Sequence, residues 1–248
     1  MDRVRYDLAF SLGGNCAVAS QLRQRGLRPY SLPFDWVYML KDTYEVTLNR
    51  LACCFEDDFK NFFLEENIKP LPEGLNRSHE DRPQYYDSYT EYRFVNHFDL
   101  PMEKGGYPPV KIKLTRRIDR LVKAINKGRR ILLILATPFE IKLDAILYLK
   151  GVLERKWPGK VFDFKVVMFN CVGEESGTFH NILVDRHIRL MNDNDFGGTN
   201  PEWNFMNNLS LSRGFFWCLF CKKMLINLIP YRPLRKKLRN KFHIYTIS

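Results

Sequence analysis

Cys16 lies in the stretch SLGGNCAVASQLRQRG, where a strand pattern stops and a helix pattern begins. A cysteine attacks a carbonyl as its thiolate, and the first turn of a helix favours that anion through its unpaired N–H groups and the positive end of its dipole. The same N–H groups can receive the oxyanion of an attacked carbonyl, with the Asn15 amide as a further donor. Position alone leaves a second reading open, in which Cys16 is a small buried residue packing helix on sheet.

A cysteine nucleophile needs a base, and His97 near the end of an apparent strand is rigidly placed to be one. Asp99, two residues on, shares its face in extended chain and is one candidate to orient the imidazole. Asp35, set between Phe34 and Trp36 in PFDW, is the rival, because a carboxylate in apolar surroundings must find a partner; it also reads as an N-cap for WVYML. Asp193 and Asp195, in a later polar loop, are weaker candidates. Arg116, Arg117 and Arg120 could hold an anionic group, although Asp119 among them also fits an ordinary solvated face.

Other chemistries find less support. GGNC lacks the Gly-Lys-Ser/Thr ending of a phosphate loop and the third glycine of a dinucleotide fingerprint. CLFC is a single CxxC without a second pair, and His180 and His187 fall on opposite faces of a strand, so no metal site and no cofactor are expected.

These residues need elements to hold them. YDLAFSL alternates, with Tyr6, Leu8, Phe10 and Leu12 on one face, and Gly13 and Gly14 then break the strand. Asn15 caps a helix that Gly26 stops. A second helix is expected from about Thr43 to Cys54. Residues 65–90 read as irregular, and TEYRFVNHFDL as a strand ending near His97. VKIKLTRRIDRLVKAIN, RRILLILA, EIKLDAILYLKGVLERKW and FDFKVVMFN then read as helix, strand, helix, strand. Ile182, Val184, Ile188 and Leu190 mark one further strand, and a short helix surrounds Trp203. This order predicts an α/β fold of three layers, a mostly parallel sheet with helices on both faces, plus an irregular aromatic-rich insertion and a basic C-terminal helical tail.

Composition bounds the rest. The chain has 248 residues, 45% apolar and 27% charged, which excludes disordered and collagen-like classes. Its net charge of +11 concentrates at the end: residues 213–248 carry nine Lys or Arg and no acid, leaving 30 basic against 28 acidic residues before them. Residues 1–212 therefore read as one α/β domain of catalytic type and 213–248 as an amphipathic basic tail suited to an anionic membrane surface rather than to specific nucleic acid. Only roughly fifteen residues separate Gly214 from Pro230, short of the roughly 20 that a spanning helix needs. No secretory signal is visible and the six cysteines show no disulfide framework, so free thiols in a cytoplasmic setting are expected.

SLGGNC with its helix, GLRPYSLPFDW, the His97 region and RRIDRL together resemble a bacterial family of uncharacterised function assigned to the papain-like cysteine peptidases. The resemblance covers roughly residues 7 to 125, more loosely to about 205. It implies a Cys/His hydrolase with Cys16 as nucleophile and His97 as base. The family commonly runs His-Asp-Phe where this chain has His97-Phe98-Asp99, and a papain-like fold continues with antiparallel strands, whereas the periodicity here gives βαβ units.

The leading expectation is a cysteine hydrolase acting on an amide, ester or thioester of a small-molecule, peptide or glycan-linked substrate. Gly14, Asn15, Asp35 and Trp36 support the catalytic set Cys16, His97 and Asp99. The alternatives are a sugar-nucleotide or glycan-binding protein or transferase in surface-polysaccharide assembly, and a peripheral membrane scaffold.

Overall fold

The computed structural model describes residues 4–39, 42–72, 82–171, 177–179, 182–192, 195–196, 198–212, 230–231 and 233–234. In chain order the strands are β1 (Val4–Tyr6), β2 (Leu8–Ser11), β3 (Ile68–Pro70), β4 (Tyr85–Asp87), β5 (Arg93–Phe94), β6 (Arg130–Thr137), β7 (Val161–Phe169), β8 (Gly177–Phe179), β9 (Ile182–His187) and β10 (Leu209–Leu211). The α-helices are α1 (Ala17–Gln24), α2 (Tyr44–Glu56), α3 (Tyr107–Lys127) and α4 (Asp144–Lys156), and a 3-10 segment covers Pro201–Asn208.

The central sheet runs β2-β6-β7-β9-β8, parallel except for β8, and β10 pairs in parallel with β1. β6 shows why its sequence is an unbroken apolar run. Ile131, Leu133 and Leu135 enter one core with α2, α3 and α4, while Leu132, Ile134 and Ala136 enter the other with α1 and the Trp203 segment. A strand buried on both faces has no polar side to alternate with. Helices thus cover both faces of a mostly parallel sheet, the three-layer α/β arrangement that the periodicity predicts.

Between α2 and α3 the chain builds a small antiparallel sheet, β3-β4-β5, over a cluster of rings. Phe34 alone lies within 6.3 Å, centroid to centroid, of Phe55, Phe59, Phe62 and Tyr92. Such ring pairs add about 0.5–1.5 kcal/mol each to the area they bury.

Several expectations are corrected. Tyr6 joins the core opposite to Leu8, Phe10 and Leu12. The reason is Asp7, which interrupts the strand to accept the backbone N–H groups of Arg129 and Arg130 at 2.7 and 3.1 Å. Residues 65–90 are not irregular throughout, since β3 and β4 lie there. The strand expected to end near His97 is only Arg93–Phe94, after which the chain turns. β9 stops at His187, so Ile188 and Leu190 lie beyond it, 77% and 66% exposed. Asp35 caps no helix, since it lies within a turn and Val37–Met39 are not helical. His180, Asp193 and nearly all of the 213–248 tail lie outside the described residues.

Candidate active site

The turn that presents Cys16 is set by two glycines with φ of +89° and +87°, a region costly for any residue with a Cβ. Space forbids one as well. A Cβ on Gly13 would meet Tyr92 and Val37 carbons at 2.9 Å, and one on Gly14 would meet the Ala136 carbonyl oxygen at 2.6 Å. The turn is therefore packed against β6 and the small sheet, and Tyr92 secures it by donating its hydroxyl to the Leu12 carbonyl at 2.7 Å.

Asn15 closes the corner. Its Oδ1 accepts the Ala17 N–H at 2.9 Å, and its Nδ2 donates to the Ala136 carbonyl at 2.9 Å and to Met191 Sδ at 3.5 Å. Both ends of the amide are thereby committed to fixing the turn. Cys16 follows as the cap residue of α1, its carbonyl accepting the Ser20 N–H at 3.0 Å. The thiol is half-buried and lies at the carboxyl end of the parallel strands, where open α/β sheets place their ligands. Its Sγ lies 3.4 Å from the Tyr38 hydroxyl, a hydrogen bond in which either atom can donate.

In the sequence Tyr38 is one ring of the aromatic cluster Tyr30, Phe34, Trp36 and Tyr38, with no catalytic role assigned to it. It is held by the small sheet: Tyr38 and Arg93 exchange backbone hydrogen bonds at 3.1 and 3.0 Å, while Arg93 also stands opposite Tyr86 and Tyr86 opposite Lys69. Only its position after PFDW hinted at it.

His97 is buried, with its ring edge-on to Phe94 at 5.2 Å, and among the described residues its Nδ1 has no hydrogen-bond partner. Burial, then the positive charges of Arg117 and Lys113, push its pKa down to about 3, so the imidazole is neutral at pH 7. Asp99 is exposed and pairs with Arg82 at 3.1 Å.

Asp35 is sealed and ion-paired to Arg28 at 2.7 Å, its Oδ2 also accepting the Leu32 N–H at 2.7 Å. Burial raises the Asp35 pKa while Arg28 opposes the rise. Arg28 in turn covers the Trp36 ring at 5.3 Å, so GLRPYSLPFDW folds into a latch closed by its own first arginine.

Arg117, as a neighbour of both Asp35 and His97, binds this latch electrostatically to α3. Arg120 lies 6.0 Å over the Tyr30 ring, and Arg116 is exposed. Asp195 is fully buried in a cage elsewhere: Arg189 grips it at 2.9 and 2.7 Å, with Asn200 at 2.9 Å and the Trp203 indole at 3.0 Å. Burial opposes ionisation there, but the Arg189 contacts and the other donors hold the Asp195 pKa well below the carboxylate range.

A cleft of about 710 Å³ opens between the N-termini of α2 and α4, lined by Asp42, Glu45, Glu140, Asp144 and Arg186 among others, with neither Cys16 nor His97 in its wall. Among the described residues no cluster of His, Cys, Asp and Glu could hold a metal ion.

Residues 7–173 match a family model described as "Putative papain-like cysteine peptidase (DUF1796)". The chain belongs to that family. The matched stretch carries Cys16, Tyr38, Arg93 and His97 of this family member and ends before the Asp195 cage. No curated protein and no solved structure matches the chain.

Proposed function

We propose that the protein is a cysteine hydrolase or acyltransferase in which Cys16 attacks the carbonyl of an amide, ester or thioester. The observation that carries this reading is the half-buried Cys16 thiol, fixed at the cap of α1 and hydrogen-bonded through Sγ to Tyr38. Family membership points to the same chemistry.

In the proposed reaction the thiol gives up its proton, Sγ forms a bond to the carbonyl carbon, and the backbone N–H groups at the start of α1 steady the oxyanion. The leaving amine, alcohol or thiol departs with a proton, and water or a second acceptor then releases the acyl group from sulfur. His97 is assigned as base from the family resemblance alone, since the burial that pushes its pKa down to about 3 makes the imidazole a weak proton acceptor in the resting protein. In the resting protein Cys16 Sγ bonds Tyr38, and the His97 ring packs on Phe94. Asp99 and Asp35 are spent on Arg82 and Arg28, and the Phe94 ring edge is what orients the imidazole.

Pre-steady-state release of nitrophenol from p-nitrophenyl acetate tests this. The native protein gives a stoichiometric burst as Cys16 is acylated, and Cys16→Ala loses it. A burst that persists in Cys16→Ala would refute the assignment.

A further inference from the structure

The segment that carries Tyr38 is docked onto the turn that carries Cys16 at three successive residues. Val37 packs against Gly13, where an added Cβ would meet its side chain at 2.9 Å. Tyr38 brings its hydroxyl to 3.4 Å from Cys16 Sγ, and Met39 donates its backbone N–H to the Gly14 carbonyl at 3.4 Å. On the other side, the paired backbone hydrogen bonds of Tyr38 with Arg93 fix the segment to the small sheet. The hydroxyl is therefore held at the sulfur by main-chain contacts from two directions.

A hydroxyl has one proton to give and two lone pairs with which to receive one, and in this pair either atom can donate. His97, the base that the family resemblance assigns, packs instead on Phe94, and its burial makes it a weak proton acceptor. We infer that Tyr38 is a catalytic residue, whose hydroxyl receives the Cys16 thiol proton and passes its own proton to the leaving group of the substrate. This inference rests on Cys16 being the nucleophile. As Sγ bonds to the carbonyl carbon, the S–H bond breaks toward Tyr38 Oη and the Oη–H bond breaks toward the leaving nitrogen, oxygen or sulfur. The oxyanion then re-forms the carbonyl, the bond to the protonated leaving atom breaks, and a neutral amine, alcohol or thiol departs. Tyr38 ends as the neutral phenol it began as.

Two acetyl esters test the relay. p-Nitrophenyl acetate expels an anion stable enough to leave without a proton. Phenyl acetate expels a phenolate whose conjugate acid, like a free tyrosine, has a pKa of about 10, and it gains from protonation. Acetylation of Cys16 by each is timed by peptide mass mapping. Tyr38→Phe, which removes only the hydroxyl, lowers the ratio of the phenyl acetate rate to the p-nitrophenyl acetate rate by about a hundredfold, as loss of a general acid does. A residue that merely supports Cys16 would slow both esters alike. In the native protein the phenyl acetate rate falls along a bowed curve as deuterium replaces hydrogen in the solvent, because both protons move together. That measurement decides the matter should Tyr38→Phe not fold, and a straight line overturns the relay. A ratio unchanged in Tyr38→Phe, or one that falls in His97→Gln instead, refutes the role of Tyr38 and leaves the nucleophile standing. If neither ester acetylates Cys16 in the native protein, the nucleophile and the inference fall together.

Discussion

At the scale of single residues, the Cys16 environment was half legible. A cysteine after two glycines and before an apolar helix pattern marks a strand-turn-helix corner, and that corner is present. The hydroxyl that touches its sulfur comes from Tyr38, and only the long-range pairing of Tyr38 with Arg93 places it there, a relation no local pattern contains. Asp99 shows the reverse failure, for its i+2 relation to His97 presumes extended chain and the chain turns after Phe94. His97 supports a prediction of its own. Its pKa is low in the folded protein, about 3, and ordinary once unfolded, so the unfolded chain binds the extra proton first. Stability is therefore full above about pH 6.5 and falls as pH drops through the interval toward 3, by about 1.4 kcal/mol per pH unit over most of that window. Urea unfolding between pH 7 and 5 should show this loss, and His97→Gln should remove one proton's worth of the slope. An unchanged slope would mean that His97 titrates normally in the fold.

At the scale of elements, periodicity sufficed where an element is long and packs by its own pattern. α3 places Leu114, Leu121 and Ile125 inside at helical spacing, and β6 and β7 read as buried strands. It failed for β3, β4 and β10, which have three residues each and exist because distant partners complete their hydrogen bonds. The Gly13-Gly14 turn is where an element's geometry controls the site. Gly14→Ala forces a Cβ to within 2.6 Å of a backbone oxygen at a φ of +87°. The expected cost is about 2 kcal/mol or more, with Cys16 displaced from Tyr38. Denaturant midpoints and Cys16 alkylation rates read both effects, and a fully stable Gly14→Ala would show that the turn relaxes freely.

At the scale of the whole molecule, the Arg189–Asp195–Glu202 cluster ties the return segment of the chain to the sheet, and Gln21 of α1 donates to the Asp195 carbonyl at 2.9 Å. This cage was passed over in the sequence as a weak catalytic candidate, because nothing local pairs Asp195 with Arg189 and Trp203. Asp195→Ala leaves Arg189 and the Trp203 indole without their acceptor, at an expected cost of about 3 kcal/mol. Guanidinium unfolding measures it, with Cys16 alkylation in the folded protein little altered; a loss below about 0.5 kcal/mol would place the cage among exposed ion pairs. No helix of the described residues is long and apolar enough to cross a membrane. The nine basic residues of 213–248 are the sequence feature from which binding to an anionic surface is expected. Co-sedimentation of the full chain with phosphatidylserine vesicles, lost in high salt and absent with phosphatidylcholine alone, is the expected signature.

The central claim is that Cys16 is a reactive nucleophile and not a packing residue. The most direct measurement is the iodoacetamide rate at Cys16 against that at Cys53, in the folded protein at pH 7 and again in urea. The account predicts that Cys16 reacts faster than Cys53 only while the protein is folded, an advantage that unfolding erases. A Cys16 that reacts no faster than Cys53 in the folded protein would contradict it.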